Sequence, residues 1–308
     1  MARPDRHAPP PGARVVPPGR STIDLHSHTL RSDGLLEPLA LVREAAAAGV
    51  RLLSITDHDT LAGVREVRAA GGTPAGLELL PGIELNAVMG DRPELRESEV
   101  HILGLGVDPD DDAFEAVLAR QRSARRVRFD SMVGRLRDIG MPVDGALEAL
   151  PATGDEDALG RPRIARALIA CGHATSVEDA FVRHLSRGRP AYVPREGLDA
   201  FEAISAVRSA KGLPALAHFA EAPERVEFLR ELIDTGLAGL EVYYRTYDAR
   251  TVHLLERIAA DLRLVATGGS DYHGDRETYA EAHAELWVPP AVEGPLRSAL
   301  ADAGRVAA

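Results

Sequence analysis

A chain of 308 residues, 45% hydrophobic and 27% charged, has an ordinary globular composition, with room for one large domain or a domain plus a smaller one. Its net charge of −11 argues against coating long nucleic acid, which takes many Lys and Arg phosphate contacts, and no apolar run approaches the roughly 20 residues of a membrane span. A single cysteine, Cys171, excludes an internal disulfide, fits a reducing cytoplasm, and leaves any metal site to His, Asp and Glu.

In chain order, residues 1–20, "MARPDRHAPPPGARVVPPGR", hold six prolines and little apolar pattern, and read as a disordered leader that includes His7. They lack the apolar core of a signal peptide, so a cytoplasmic location is expected. Short apolar runs then alternate with helical patterns. The runs are "TIDLHSH" (22–28), "RLLSITDH" (51–58), "LELLPGIEL" (77–85), "VHILGLG" (100–106), "LPALAHF" (213–219), "GLEVYY" (239–244), "RLVATGGSDYH" (263–273) and "AELWVP" (284–289). "EPLALVREAAAAGV" has a proline near a helix start and a glycine at its end, and 222–236 and 248–262 are helical too. Strands alternating with helices predict βαβ units, a mostly parallel sheet and, with seven or eight strands, a barrel.

One stretch breaks this rhythm. Residues 107–212 have little strand signal: 114–140 predicts a long helix, and 160–172, 177–188 and 198–212 predict three shorter ones. The division expected is therefore a barrel built from 21–106 and 213–308, with 107–212 inserted as a helical subdomain.

The polar residues sort by position. His26, His28 and Asp33 lie in "IDLHSHTLRSDG", His58 in "SITDHDT", Glu84 in "LLPGIELN", His218 in "ALAHF", and Asp271 with His273 in "GGSDYH". Each is at or near the C-terminal end of a predicted strand; His101, in "EVHILG", is the exception, near the start of its own. In α/β barrels the C-terminal strand ends converge on the active-site face. One strand-end histidine is more often ordinary than a ligand. Six histidines and three carboxylates so placed on separate elements point to divalent metal binding. His173, His184, His253 and His283 fall on predicted helix faces or linkers and read as surface residues.

At these residues the sequence resembles the PHP family (polymerase and histidinol phosphatase), metal-dependent phosphoesterases on a distorted (β/α)7 TIM-like barrel. The matching motifs are "DLHSHTLRSDG", "ITDHDT", "PGIELN", "VHILG", "LAHF" and "SDYH". The insert, with "GRPRIARAL" and "RGRPAYVPR", is similar to that of the subgroup that hydrolyses nucleoside 3′,5′-bisphosphates and the 5′ ends of short oligonucleotides. Relatives often read "AHP" and "GRPH" where this chain has "AHF" and "GRPR". The resemblance implies three divalent ions, manganese, iron or zinc. His26, His28, Glu84 and Asp271 would hold one. Glu84 would bridge to a second held by His101 and His218, and Asp33, His58 and His273 would hold the third. It also implies catalysis by a hydroxide bridging ions held by His26, His28, Glu84, His101, His218 and Asp271, without a serine or cysteine nucleophile. Three such ions would outweigh three carboxylates and draw a phosphate into an acidic chain.

Around that centre, Asp57 and Asp59 are candidates for orienting an imidazole, with turn or helix-cap chemistry as the alternative. Tyr243 is a candidate for stacking on a base, or a core aromatic. Arg161, Arg189 and Tyr192 are the candidates for gripping a second phosphate, with Arg125 behind them. The function expected is phosphoester hydrolysis on a small nucleotide or a short oligonucleotide end, by a monomer. A histidinol-phosphate-type phosphatase, a non-catalytic metal-binding accessory domain, and C–N bond hydrolysis on the same barrel are the alternatives.

Overall fold

The computed structural model describes residues 12, 19–90, 92, 95, 99–151, 154 and 157–306; the leader expected over 1–20, His7 included, lies almost wholly outside them. The elements run β1 (Ile23–Asp24), α1 (Pro38–Ala48), β2 (Leu52–Ile55), α2 (Ala62–Ala69), β3 (Glu78–Val88) and β4 (Glu99–Leu105). Then come α3 (Asp112–Asp138), α4 (Asp144–Ala149), α5 (Arg161–Ala170), α6 (Val177–Ala180), a π-helical turn (Phe181–Leu185) and α7 (Ala200–Ser209). The chain closes with β5 (Leu213–Leu216), α8 (Val226–Thr235), β6 (Gly239–Tyr244), α9 (Ala249–Asp261), β7 (Val265–Gly269), α10 (Tyr279–Ala284) and α11 (Glu293–Val306).

The seven strands form one sheet in sequence order. β1–β2, β2–β3, β5–β6 and β6–β7 pair in parallel, while β4 runs antiparallel to both neighbours. The sheet curls until its edges nearly meet. Leu25 N–H donates to the Gly268 carbonyl at 3.1 Å, and Ser27 bridges Tyr272. Glycine is required there: a Cβ on Gly269 would lie 2.4 Å from the His26 backbone nitrogen. The chain is thus a distorted seven-stranded α/β barrel with helices inserted between β4 and β5.

Leu25, Leu52, Leu103, Leu105, Leu213, Leu286 and Val288 belong to the barrel-filling core. A larger core joins the strands to the outer helices and takes in Phe114 and Leu118 from the first half of α3. The second half of α3 packs elsewhere: Phe129, Met132 and Leu136 join Ile164, Leu168 and Leu185 in a separate cluster. α3 therefore anchors the inserted helices on the barrel with one end and nucleates their own core with the other.

Three expectations are corrected. The run 284–289 is not a strand: a capping box of Thr278 and Glu281 starts α10, which ends at Ala284, and Pro289 and Pro290 cannot donate to a ladder. Leu286 and Val288 are buried in the barrel core all the same. Residues 177–188 are not one α-helix, because α6 passes into the π-helical turn. His184 and His283 are buried instead of superficial, His283 stacking on Tyr279 with ring centres 5.7 Å apart.

Candidate metal centre

All nine candidate ligands meet at one mouth of the barrel. His26 and His28 leave the end of β1 two residues apart, so both rings face one side, their Nε2 atoms 3.2 Å apart. Asp33 comes from the loop beyond, His58 follows β2, Glu84 projects from β3, His218 follows β5, and Asp271 and His273 follow β7. His101 is no exception. β4 is reversed, so its first residues lie at the same mouth as the last residues of the parallel strands, and His101 is registered against Asn86. Two of the nine, His218 and Asp271, have left-handed backbones (φ 31 and 47°), a conformation only a few per cent of non-glycine residues adopt.

Glu84 is the hub. Its carboxylate lies 2.7 Å from His101 Nδ1, 2.9 Å from His58 Nδ1, 3.1 Å from His28 Nε2, 3.2 Å from His218 Nε2 and 3.4 Å from His26 Nε2. Asp271 Oδ1 is 3.2 Å from His26 Nε2 and 3.1 Å from His28 Nε2, while Asp33 Oδ1 is 3.1 Å from His273 Nε2. Three groups have ligand atoms close enough to share an ion: His26, His28, Glu84 and Asp271; His28, Asp33, His58 and His273; and His58, Glu84 and His101. His218 Nε2 stands 3.1 Å from His101 Nδ1 beside the last.

These residues fit divalent ions. Asp33 Oδ1, His58 Nδ1 and Asp271 Oδ1 are buried and, despite their close neighbours, make no well-directed hydrogen bond. Pairs of imidazole nitrogens lie 3.1–3.2 Å apart, close enough to share a proton or a cation. The field agrees. Burial would raise the carboxyls of Asp33, Glu84 and Asp271, yet the surrounding imidazoles hold all three well below the ordinary range. Burial opposes a proton on His273, but Asp33 and Asp271 push it up to about 10. Burial pushes His58 down to about 4, leaving it neutral, as a ligand must be. A site whose carboxylates hold protons on buried imidazoles is a site that attracts cations.

The supporting residues divide in two. Among the described residues, neither Asp57 nor Asp59 hydrogen-bonds an imidazole. Asp57 accepts from Thr29 N–H and Oγ1 (both 2.7 Å) and Ser32 Oγ (2.8 Å), fixing the loop after His28. Asp59 accepts from Arg125 (2.8 and 3.0 Å) and from Asn86 N–H (3.2 Å). Glu241 takes the imidazole-orienting place: fully buried on β6, it lies 3.0 Å from His26 Nδ1 and accepts His218 N–H at 2.7 Å. Tyr244 donates to Asp271 Oδ2 at 2.8 Å. A bulge between Glu241 and Tyr243 shifts the alternation by one, so Tyr244, not Tyr243, reaches the centre. Tyr243 turns away and donates to Glu256 at 2.9 Å.

A cavity of about 280 Å³ opens over the centre, lined by Asp33, His58, Glu84, His101, His218, Asp271 and His273 on the barrel side. On the helical side stand Arg125, Arg128, Arg161 and Arg195. Arg195 is pushed down to about 10 by burial and by Arg125, so it stays charged at neutral pH while stripped of water. Glu99 bridges Arg128 and Arg195 at 3.2 Å each. Of the candidates for a second phosphate, Arg161 lines this cavity, Tyr192 lines an adjoining one beneath the Arg128 guanidinium (5.6 Å), and Arg189 is exposed and lines neither. Asn86, Arg128, Arg195, Glu241 and Tyr244 went unread in the sequence.

No protein-family model matches the chain. Curated relatives do. The 5′-3′ exoribonuclease Rnm of Escherichia coli is 33% identical over 276 residues, covering 88% of this chain and 91% of the relative. The 3′,5′-nucleoside bisphosphate phosphatase of Chromobacterium violaceum is 31% identical over 267 residues, covering 83% and 89%. Among solved structures, one described as a metal-dependent phosphoesterase from Bifidobacterium adolescentis superposes with a TM-score of 0.76 at 32% identity, over 92% of this chain and 97% of that one. With the barrel, the reversed fourth strand and the histidine–carboxylate cluster, these likenesses assign the chain to the PHP family of metal-dependent phosphoesterases, hydrolases of phosphate esters.

Proposed function

We propose that the chain hydrolyses the 3′-phosphate of nucleoside 3′,5′-bisphosphates and releases 5′-terminal nucleotides from short oligonucleotides, as a monomer holding three divalent ions. In this reading residues 107–212 form a subdomain over the mouth of a barrel built from 21–106 and 213–308. The supporting observation is a single cavity with the ligand cluster on one wall and four arginines on the other. A substrate with two phosphates suits two such walls. Manganese, iron and zinc all accept these ligands.

His26, His28, Glu84 and Asp271 would hold one ion, Glu84, His101 and His218 the second, and Asp33, His58 and His273 the third. When bound, such ions supply an acidified attacking water and positive charge for the phosphoryl oxygens. The protein side supplies the rest. Glu241 and Tyr244 hold His26, His218 and Asp271 in place. Arg125, Arg128, Arg161 and Arg195 grip the 5′-phosphate, with Asp59 fixing Arg125 and Glu99 fixing Arg128 and Arg195. Both reactions break the same bond, from phosphorus to O3′, so one placement of the 5′-terminal nucleotide serves both.

The test is phosphate release from adenosine 3′,5′-bisphosphate by manganese-loaded protein, with histidinol phosphate alongside and a chelator-treated control. Chelator-sensitive turnover of the bisphosphate is expected. Turnover of histidinol phosphate alone overturns the substrate, and turnover of neither by metal-loaded protein favours an accessory role or C–N hydrolysis.

A further inference from the structure

A second cavity, of about 680 Å³, adjoins the first, and His101, His218, Glu99, Arg161 and Phe181 line both. Its remaining wall includes Arg187, Tyr192, Phe219 and Ala220. We propose that it binds the second nucleoside of an oligonucleotide substrate, the one that departs with the scissile phosphate. This rests on the substrate reading above and deepens it.

Chemistry demands such a place. In a 5′-phosphorylated oligonucleotide, water attacks the phosphorus between the first and second nucleosides. Its oxygen joins phosphorus, the bond to O3′ of the first nucleoside breaks, and O3′ takes up a proton. The phosphate leaves on O5′ of the second nucleoside. In a 3′,5′-bisphosphate that ester oxygen carries nothing. An oligonucleotide therefore needs an exit from the phosphorus position that a bisphosphate does not. An exit requires the ligand cluster to be open on that side. His26 and His28 side chains are 0% exposed, whereas those of His101, His218 and His273 are 23%, 28% and 26% exposed; of these, His101 and His218 form the edge shared with the second cavity.

The second cavity also has the composition for a base and its backbone. Two half-buried aromatic rings reach it, Phe181 from the π-helical turn and Tyr192 from the loop after it, backed by Phe219 of the core just past β5. Bases of any sequence stack on such faces. The Arg161 guanidinium lies 5.3 Å over the Phe181 ring, placing one cation at the partition. The wall carboxylates have cationic partners: Glu99 pairs with Arg128 and Arg195, and Glu221 with Arg225 at 3.3 Å. Arg187 is exposed and makes no ion pair among the described residues, so it is available for the next backbone phosphate.

Two substitutions separate the cavities. Ala220 is exposed on the second wall, and Ala220→Trp narrows the space; Arg187→Glu reverses the charge there. Wild type and both variants would be compared on adenosine 3′,5′-bisphosphate and on 5′-phosphorylated triadenylate, with melting curves to verify folding. Each variant should lose about tenfold in kcat/KM on the trinucleotide, the scale of one stacked base, and stay within about twofold on the bisphosphate. Parallel losses on both substrates, no loss on either, or a wild type active on the bisphosphate alone would overturn the second-nucleoside site and leave the first reading standing. A wild type inactive on both would overturn the substrate reading itself.

Discussion

Glu84→Gln should abolish most phosphoesterase activity, lowering kcat/KM by about 10³-fold, while the protein stays folded. The magnitude follows from removing about 4 kcal/mol of charge stabilisation at a metal-assisted transition state. Glutamine preserves the shape of a side chain that is 1% exposed and packed against five imidazoles, so the change is one of charge. No other carboxylate among the described residues reaches as many of the candidate ligands. Metal content measured on the same sample should fall below that of wild type, and circular dichroism should not change. Near-normal activity with normal metal content would remove Glu84 from the shared position.

The second large effect is expected at Glu241, which touches no substrate and acts through two histidines. Its carboxylate holds the His26 ring at Nδ1 and the His218 backbone, the latter in a left-handed conformation that has to be held against its own preference. Glu241→Ala should weaken metal affinity by about 10–100-fold, the usual cost of losing a carboxylate behind a ligating imidazole. Because the role is positional, excess metal should restore much of kcat, and Glu241→Gln, which still accepts from the His218 N–H, should fall between wild type and alanine. A metal titration read by activity checks both. An unshifted midpoint with a uniformly lower kcat would contradict a positioning role.

The barrel was legible because short apolar runs alternate with helical patterns over most of the chain, and because eight of the nine candidate ligands lie at or near the ends of those runs. Strand direction was not. Periodicity has no sign, and the one trace of the reversed β4 was His101 standing at the wrong end of "VHILG". Glu241 escaped because a lone carboxylate inside "GLEVYY" has no partner at a telling distance along the chain; its histidines are 215 and 23 residues away. Choosing Tyr243 over Tyr244 is a question of strand face, and a bulge moves the face by one residue without any signal in composition. Among 36 basic residues only Lys211 is lysine, so Arg128 and Arg195 looked like any other arginine until folding buried them against Glu99. His184 and His283 show the converse: helix position suggested the surface, and packing decided otherwise.

The central claim is that the histidine–carboxylate cluster is a metal centre organised by Glu84. Crystals grown with manganese, with anomalous diffraction recorded at the manganese edge, test it most directly. Three anomalous peaks are expected at the barrel mouth: one among His26, His28 and Asp271, one beside His101 and His218, and one among Asp33, His58 and His273, with Glu84 contacting the first two. Ordered cluster side chains with no anomalous peak within ligand distance of Glu84, in crystals where manganese is bound elsewhere, would contradict it.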